Sequence, residues 1–405
     1  MACPTRRLLK MFLPTRTVRS VHVVLTVTFA ICTFVLSMRE ISRFEKHFRR
    51  RHSIFGDADV LKDSTEKRRL IFPHINESMF NASSSKRKES HETKNKRKYT
   101  KSIVWFNTPN WFTRFSSESI FSGCEVSQCT MSYDHHDVPT ADAVLVNGIN
   151  ISDSSPPPRR PEQMFVFFSL EPPVYMDIST KWQHAFNWTI TYRRDSDVWR
   201  SYGELRRNRT KLSMDYFEKI LKKKTKAVAW FVSRCVSHSK RERYVRELKK
   251  YIQVDIYGRC GPYKCGSNCY QKLEQYRFFL AFENSLCVDY VTEKFFKTFK
   301  YDVVPVVRGG ANYSSLFGDG FLINTADFRS GKKLGAYLSY LMKDDTEYLK
   351  ILREKQKYYV AFPRPWCDLC KKLHNAEEYS KRIDIESWLG ERNCHLPSDL
   401  RSSKS

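Results

Sequence analysis

The feature that most constrains the fold is a set of short apolar runs almost free of polar residues. Ile103-Val-Trp-Phe106, Ala143-Val-Leu-Val146 and Met164-Phe-Val-Phe-Phe168 form a first group. Ala227-Val-Ala-Trp-Phe-Val232, Val254-Asp-Ile-Tyr257, Phe278-Phe-Leu-Ala-Phe282 and Val303-Val-Pro-Val-Val307 form a second. A strand with one wet face alternates polar and apolar residues. An unbroken apolar run is buried on both faces, as in a parallel sheet covered by helices. Helical patterns separate the second group: Lys240–Tyr251 with Tyr244, Val245, Leu248 and Tyr251 on one face, then Thr292–Phe299, then a long one over Leu334–Tyr359. This spacing predicts an α/β fold with two Rossmann-like halves facing a cleft, over 102–215 and 216–365, closed by a return segment at 366–405. With 405 residues, 41% of them hydrophobic, the chain has material for both cores.

The formal net charge of +26 makes nucleic acid the first partner to test. The charge is concentrated, however. Lys86 to Lys101 holds eight Lys or Arg against two Glu, and Arg49-Arg-Arg51 is a second cluster. Both precede the apolar runs, and there is no zinc-finger pair, RRM signature or heptad, so no nucleic-acid partner is expected. Residues 39–101 read instead as a polar, largely disordered stem. Before it, Ser20 to Met38 is a 19-residue stretch without Asp, Glu, Lys or Arg. At about 1.5 Å per residue it spans roughly 28 Å, close to a bilayer core. It is too long for a signal-peptide core and ends in a poor cleavage site. It is expected to be a signal-anchor transmembrane helix behind a cytoplasmic tail at 1–19.

Asn76, Asn81, Asn150, Asn187, Asn208 and Asn312 each begin an N-glycosylation sequon, all on one side of this segment. That side is therefore expected to be lumenal. Ten of the twelve cysteines lie on the same side, an even number that reads as disulfides in an oxidising compartment. Cys367-Asp-Leu-Cys370 has no second Cys-X-X-Cys to complete a zinc site.

The chain has neither a Walker A loop nor Gly-X-Gly-X-X-Gly, so a phosphate would need side-chain cations or helix N-termini. The turn after the Phe278–Phe282 run supplies candidates. Glu283-Asn284 lies at the carboxyl end of that strand, where open α/β sheets bind ligands. Thr292 can cap the next helix, whose first turn carries Glu293 and Lys294. Lys294 could neutralise a diphosphate, and Glu293 could accept from ribose hydroxyls. On these residues alone, a solvated helix start with a capping threonine and a charge pair explains the turn slightly better.

Phe279-Leu-Ala-Phe-Glu-Asn-Ser-Leu-Cys-Val-Asp-Tyr-Val-Thr-Glu-Lys-Phe-Phe296, followed by Tyr301-Asp-Val-Val-Pro-Val-Val307 and Gly309-Gly-Ala-Asn-Tyr313, resembles the signature of the α1,3-fucosyltransferase family, glycosyltransferase family 10. Phe186–Asp197, Ala229–Cys235 and Val254–Gly261 resemble three further blocks in the family's order. The resemblance covers roughly 102–370.

The resemblance implies the GT-B arrangement of two Rossmann-like domains, GDP-fucose as donor, and inversion at the fucose anomeric carbon. Inversion needs one base for the acceptor hydroxyl. By resemblance that base is Glu171, although Glu171-Pro-Pro173 stands where the family usually has Glu-Ser-Pro. Arg241 is the implied donor arginine, with Arg243 as a register alternative, and Lys294 the second cation. Asn284, Tyr290 and Glu293 are assigned to nucleotide or sugar, and Arg193 and Tyr257 to the donor cleft. Ser233-Arg-Cys235 departs from the usual Ser-Asn-Cys. Asp195-Ser-Asp197 is read as an Arg–Asp network rather than a metal site. No cofactor is required, with Mn or Mg at most stimulatory. Crossed disulfides between Cys124 or Cys129 and Cys367 or Cys370 would tie the two ends together. Cys235 with Cys260, and Cys265 with Cys269 or Cys287, are weaker expectations. The implied enzyme is a single-pass type II Golgi protein that moves L-fucose to GlcNAc of glycoprotein glycans. The alternative is an inactive lectin-like or scaffold protein on the same fold.

Overall fold

The computed structural model describes residues 99–400, apart from 210, 211, 267, 376, 378 and 379, and not the side chain of Asn150. The expected tail, anchor and most of the stem, with Asn76 and Asn81, lie outside the described residues. No described helix is long and apolar enough to cross a membrane.

The apolar runs become two parallel sheets. The first contains β1 (Lys101–Asn107), β2 (Cys129–Ser132), β3 (Ala143–Asn147), β4 (Met164–Ser169), β5 (Trp188–Thr191) and β6 (Val198–Trp199), in the order β2-β1-β3-β4-β5-β6. Every pairing in it is parallel, and every residue of β3 and β4 is buried. A short strand β7 (Glu204–Arg207) follows. The second sheet contains β8 (Lys226–Phe231), β9 (Val254–Tyr257), β10 (Tyr276–Phe282), β11 (Val304–Arg308) and β12 (Ile323–Asn324), in the order β12-β11-β10-β8-β9, again all parallel. All seven residues of β10 are buried. Each sheet carries an apolar cluster on both faces, so the unbroken runs are explained by double-sided burial.

β2, β5 and β6 were not visible as apolar runs. Cys129-Thr-Met-Ser132 and Trp188-Thr-Ile-Thr191 mix hydroxyl residues with large apolar ones, and their Thr and Ser groups find partners inside the fold. Thr189, for example, shares Asp197 through both its N–H and its hydroxyl, at 2.9 and 3.1 Å.

Four helices matter for the second half: α1 (Met214–Lys223), α2 (Arg241–Leu248), α3 (Gly331–Leu341) and α4 (Asp345–Gln356). The single helix expected over 334–359 is two helices and a strand. The first ends at Leu341, and Asp344 caps α4, its carboxylate accepting from the Glu347 N–H at 3.0 Å. The apolar pattern runs on across this break because Leu334, Leu338 and Leu341 enter the same cluster as Tyr348, Leu349 and Leu352. Tyr358–Ala361 then forms β13, antiparallel to β7.

The C-terminal segment returns to the first half. Helix α5 (Pro365–His374) puts Leu369, Cys370 and Leu373 into the core that holds Trp105 and Phe168. Ile385 and Leu389 join the cluster on the other face of that sheet. Cys124–Cys367 and Cys129–Cys370 staple this helix to the start of the chain, and Cys235–Cys260, Cys265–Cys269 and Cys287–Cys394 complete the set. The crossed pairing and Cys235–Cys260 match expectation, and Cys394 is the partner of Cys287.

One sequon is corrected. Asn187 is fully buried; its Oδ1 accepts from Phe165 N–H and Arg159, both at 2.9 Å, and its Nδ2 donates to Lys381 O at 3.0 Å. This fold has no room for a glycan there. Asn208 and Asn312 are exposed.

Cys124–Cys367 and Cys129–Cys370 span 243 and 241 residues and so close nearly the same loop. The entropy of that closure is gained once; with either bond present, the other closes a ring of only about ten residues. Removing either pair by Cys→Ala should therefore cost about 3 kcal/mol, but removing both about 8 kcal/mol, more than the sum. Denaturant unfolding of the two pair variants and the quadruple variant tests this. Simple additivity would contradict the shared-loop account.

Candidate active site

The site is built at the carboxyl ends of β8 and β10, facing the turn that follows β4. β10 ends at Phe282, and the next residue, Glu283, is a carboxylate with no exposed surface. It lies beneath a single helical turn, Glu293–Phe296. Glu283 accepts from the Thr292 N–H at 2.8 Å and from the Thr292 hydroxyl at 2.9 and 3.0 Å. Lys294 reaches over it, with Nζ 3.3 Å from Glu283 and 3.2 Å from Glu293, and donates to Thr292 Oγ1 at 2.8 Å. Burial raises the pKa of Glu283 above the usual carboxylate range. Burial also works against the charge on Lys294, but Glu283 and Glu293 outweigh it and raise its pKa. Desolvation also opposes the charge on Glu293, whose side chain is 43% exposed, yet Lys294 and Lys297 hold its pKa below the usual range. The expected helix over 292–299 is thus one α-turn continued by a 3-10 turn, Lys297–Lys300.

The loop from β8 into α2 packs on this turn. Ser239 donates its N–H to Asn284 O at 2.9 Å and its hydroxyl to Glu283 O at 2.7 Å. Lys240 enters α2 in the left-handed region, φ 52°, a strained conformation for a non-glycine residue. Arg241 follows as the first residue of α2. It is 4% exposed, and its Nη1 donates to Phe282 O at 2.6 Å. Arg243 is exposed, so the buried arginine of this helix is Arg241. Desolvation lowers the pKa of Arg241.

Among the described residues, four buried polar atoms on these two loops have no hydrogen-bond partner: His238 Nδ1, Arg241 Nε, Asn284 Oδ1 and Ser285 Oγ. Buried polar groups are normally satisfied, so orphans gathered on two touching loops mark a place built to receive a polar ligand.

The first half contributes Glu171. Ser169 Oγ accepts from the Glu171 N–H and donates to Glu171 O, both at 3.1 Å, which fixes the backbone of the residue. Pro172 and Pro173 lead into a 3-10 turn ending at Tyr175. The Tyr175 hydroxyl donates to Asn284 O and accepts from the His238 N–H, both at 3.3 Å, so the turn is docked on the two loops of the other half. Burial pushes the pKa of Glu171 up to about 7, with Glu293 and Glu283 adding to the rise and Lys294 and Arg234 opposing it. A carboxyl near 7 is suited to general-base work at neutral pH.

Three other residues assigned to the donor site are occupied elsewhere. Arg193 donates to both Asp195 oxygens, at 2.8 and 2.6 Å, and to Trp388 O at 2.7 Å, so it holds the return segment. Tyr290 is 1% exposed and packs edge-on against Tyr192, with ring centroids 5.0 Å apart. Tyr257 is buried in the second core, its hydroxyl 2.8 Å from that of Tyr276. No metal site fits Asp195 and Asp197: the first is taken by Arg193, and Asp197 pairs with Lys381 at 2.8 Å. Cys129, Cys370 and His374 place donor atoms within 4.8 Å of one another, but the two sulfurs are bonded to each other. Tyr175 and His238 were not singled out from sequence, and Glu283 was placed at the strand end without a role. The signal for Glu283 was a carboxylate directly ending a wholly apolar strand.

Comparison with known proteins agrees with this architecture. Residues 221–388 match the model of the glycosyltransferase family 10 (fucosyltransferase) C-terminal domain, and residues 98–203 match the fucosyltransferase N-terminal domain. α-(1,3)-Fucosyltransferase C of Drosophila melanogaster is 34% identical over 309 residues, 69% of this chain and 72% of that protein. An α-(1,3)-fucosyltransferase of Caenorhabditis elegans is 33% identical over 298 residues, 69% of this chain and 67% of that protein. Glycoprotein 3-α-L-fucosyltransferase A of Drosophila melanogaster is 36% identical over 277 residues, 65% of this chain, which spans 55% of that longer protein. Among solved structures, an α1,3-fucosyltransferase with GDP-fucose aligns over 71% of this chain and 93% of its own, at 18% identity and a TM-score of 0.44. With both domain models matched in order and relatives at this level of identity, the chain belongs to the α1,3-fucosyltransferase family, glycosyltransferase family 10.

Proposed function

We propose that this glycosyltransferase takes GDP-fucose as donor and transfers L-fucose, with inversion, in α1,3 linkage to a GlcNAc hydroxyl of glycoprotein glycans. The observation that carries the donor half of this reading is the set of orphaned polar atoms on the loops after β8 and β10, beside Arg241 and Lys294. The relatives named above support fucose transfer, and the structural neighbour was solved with GDP-fucose. The two halves form a GT-B pair, with the donor held by the second. The Ser20–Met38 stretch, the exposed sequons and the disulfides suit a type II protein of the Golgi membrane with a lumenal catalytic domain.

In this mechanism Glu171 accepts the proton of the acceptor hydroxyl as that oxygen attacks the anomeric carbon. The bond to the diphosphate breaks on the opposite face. Arg241 and Lys294 stabilise the charge that develops on the leaving group, and their value is greatest because water is largely excluded there. Glu293 accepts from a donor hydroxyl. Lys294 enters this role already oriented by Thr292, Glu283 and Glu293.

The full chain in detergent, with a panel of GlcNAc-containing acceptors, should transfer fucose from GDP-fucose; neither transfer nor GDP binding on any condition would end this reading. Glu171→Gln should lower kcat by about 10²–10⁴-fold while GDP affinity stays within threefold of wild type. Because the base works ionised and its pKa lies near 7, kcat/KM should rise with pH and level off above about 7, falling tenfold per unit below it. A flat profile between pH 5 and 8 would contradict the assignment.

Lys294→Ala should weaken GDP binding about tenfold or more, since a charged hydrogen bond to phosphate is lost. It should also lower stability by about 3 kcal/mol, because Glu283 is left buried without its cation. Adding Glu283→Gln should restore much of the stability and none of the affinity. Urea unfolding and GDP titration of the three variants separate the two effects.

A further inference from the structure

The cations around the cleft differ in how far the protein has already committed them. Lys294 is paired with Glu283 and Glu293, Arg241 donates to Phe282 O, and Arg193 is bound to Asp195. Arg234 is half-buried in the loop from β8 to α2 and, among the described residues, makes no hydrogen bond or ion pair. Its guanidinium carbon lies over the Tyr175 ring, 4.2 Å from the ring centre. Tyr175 is the residue whose hydroxyl joins the Glu171 turn to Asn284 and His238.

The loop that carries Arg234 is fixed on both sides of it. Ser233 O accepts from Arg259 Nε at 2.9 Å, and Cys235 is bonded to Cys260 at the end of β9. This arginine is therefore held in place by its backbone and by an aromatic face, with its donor edge unspent. None of its five N–H donors is among the buried unpartnered atoms, so the donor edge reaches the surface and is open to an anion. The loop after the first strand of a Rossmann-like half is also where phosphates are bound. The orphaned Arg241 Nε and His238 Nδ1 lie on the same loop.

We propose that Arg234 is a third cation for the donor's diphosphate, offering its N–H edge to the phosphate oxygens while its face rests on Tyr175. This rests on the nucleotide-sugar reading above and adds to it a residue of the leaving-group site. It also gives Tyr175 a role: a phosphate held by Arg234 is tied, through one aromatic ring, to the turn that carries Glu171. The planar fork suits two phosphate oxygens, which an ammonium in the same place could not engage together.

The test uses the full chain in detergent and titrates GDP and GMP against wild type, Arg234→Gln and Arg234→Lys. Wild type should prefer GDP. Arg234→Gln should lose about 10–100-fold in GDP affinity, the range for a hydrogen bond to a charged group, with GMP changed less than threefold. Arg234→Lys should fall between. If Arg234→Gln binds GDP as wild type does, or loses GDP and GMP equally, the proposal is wrong. It is also wrong if GDP affinity holds and only the KM for a carboxylate-bearing acceptor rises. Absence of GDP binding by wild type would overturn the donor reading itself, a result distinct from any confined to the Arg234 variants.

Discussion

The buried carboxylate of Glu283 is the constraint around which the donor turn is organised. A charge with no exposed surface needs partners, and it has the Thr292 N–H, the Thr292 hydroxyl and Lys294. Satisfying it folds the chain back over residues 284–291 and sets the Glu293–Phe296 turn directly above the end of β10. The same contacts aim Lys294. A lysine on a one-turn helix would otherwise have little to orient it, because so short a helix has weak internal cohesion. The turn is also clamped from outside. Cys287 is bonded to Cys394, Val288 N–H and His395 N–H exchange backbone bonds with Asn393 and Leu286, and Arg308 holds Asp399 through two contacts of 2.7 Å. Arg308 also donates to Ser239 O at 2.8 Å, so one buried guanidinium links the return segment to the loop before Arg241.

The return segment explains why the two halves act together. It leaves the second half at β13, crosses to the first through α5, and comes back to the donor turn near Cys394. Its helix is bonded to Cys124 and Cys129, and its later residues to Cys287. The cleft between Glu171 and Lys294 is therefore framed by a closed circuit of covalent and buried contacts. Tyr175 adds a direct link across it. Loosening any one member should alter the distance between base and donor without touching either.

Much of the fold was legible because double-sided burial leaves an unmistakable mark. β3, β4, β10 and β11 are wholly buried and were read as continuous apolar runs. What escaped were elements whose stability comes from partners far away in sequence. β5 and β6 depend on a Thr–Asp network, and β13 depends on pairing with β7. The break between α3 and α4 rests on a single cap, Asp344, set within a pattern that both helices share. The candidate site followed the same division. Glu171 and Lys294 stand at ends of visible elements, so their placement followed from the elements. Arg193 and Tyr290 lie in the same neighbourhood, but Asp195, Trp388 and Tyr192 occupy them; the Arg193–Asp195 pair was legible as an Arg–Asp network, whereas the contacts with Trp388 and Tyr192 are not written in local spacing. Asn187 shows the limit of a motif: its sequon is intact, yet its amide is spent on holding β4 and the return segment.

The position of Glu171 is a balance that the rest of the cleft sets. Burial alone would hold the group protonated, and Glu293 and Glu283 add to that tendency. Lys294 and Arg234 act in the other direction, and the outcome is a pKa of about 7. Those two cations are also among the three proposed for the diphosphate. A bound diphosphate would spend part of their field and bring its own negative charge, both of which raise the proton affinity of Glu171. In the proposed mechanism, as the bond to the sugar breaks, more charge collects on the leaving oxygen, and the base would strengthen further while the acceptor proton moves. Base and leaving group are thus coupled through shared cations. The stiff Glu-Pro-Pro turn, with Ser169 locking the Glu171 backbone, keeps that coupling from being lost to motion of the base.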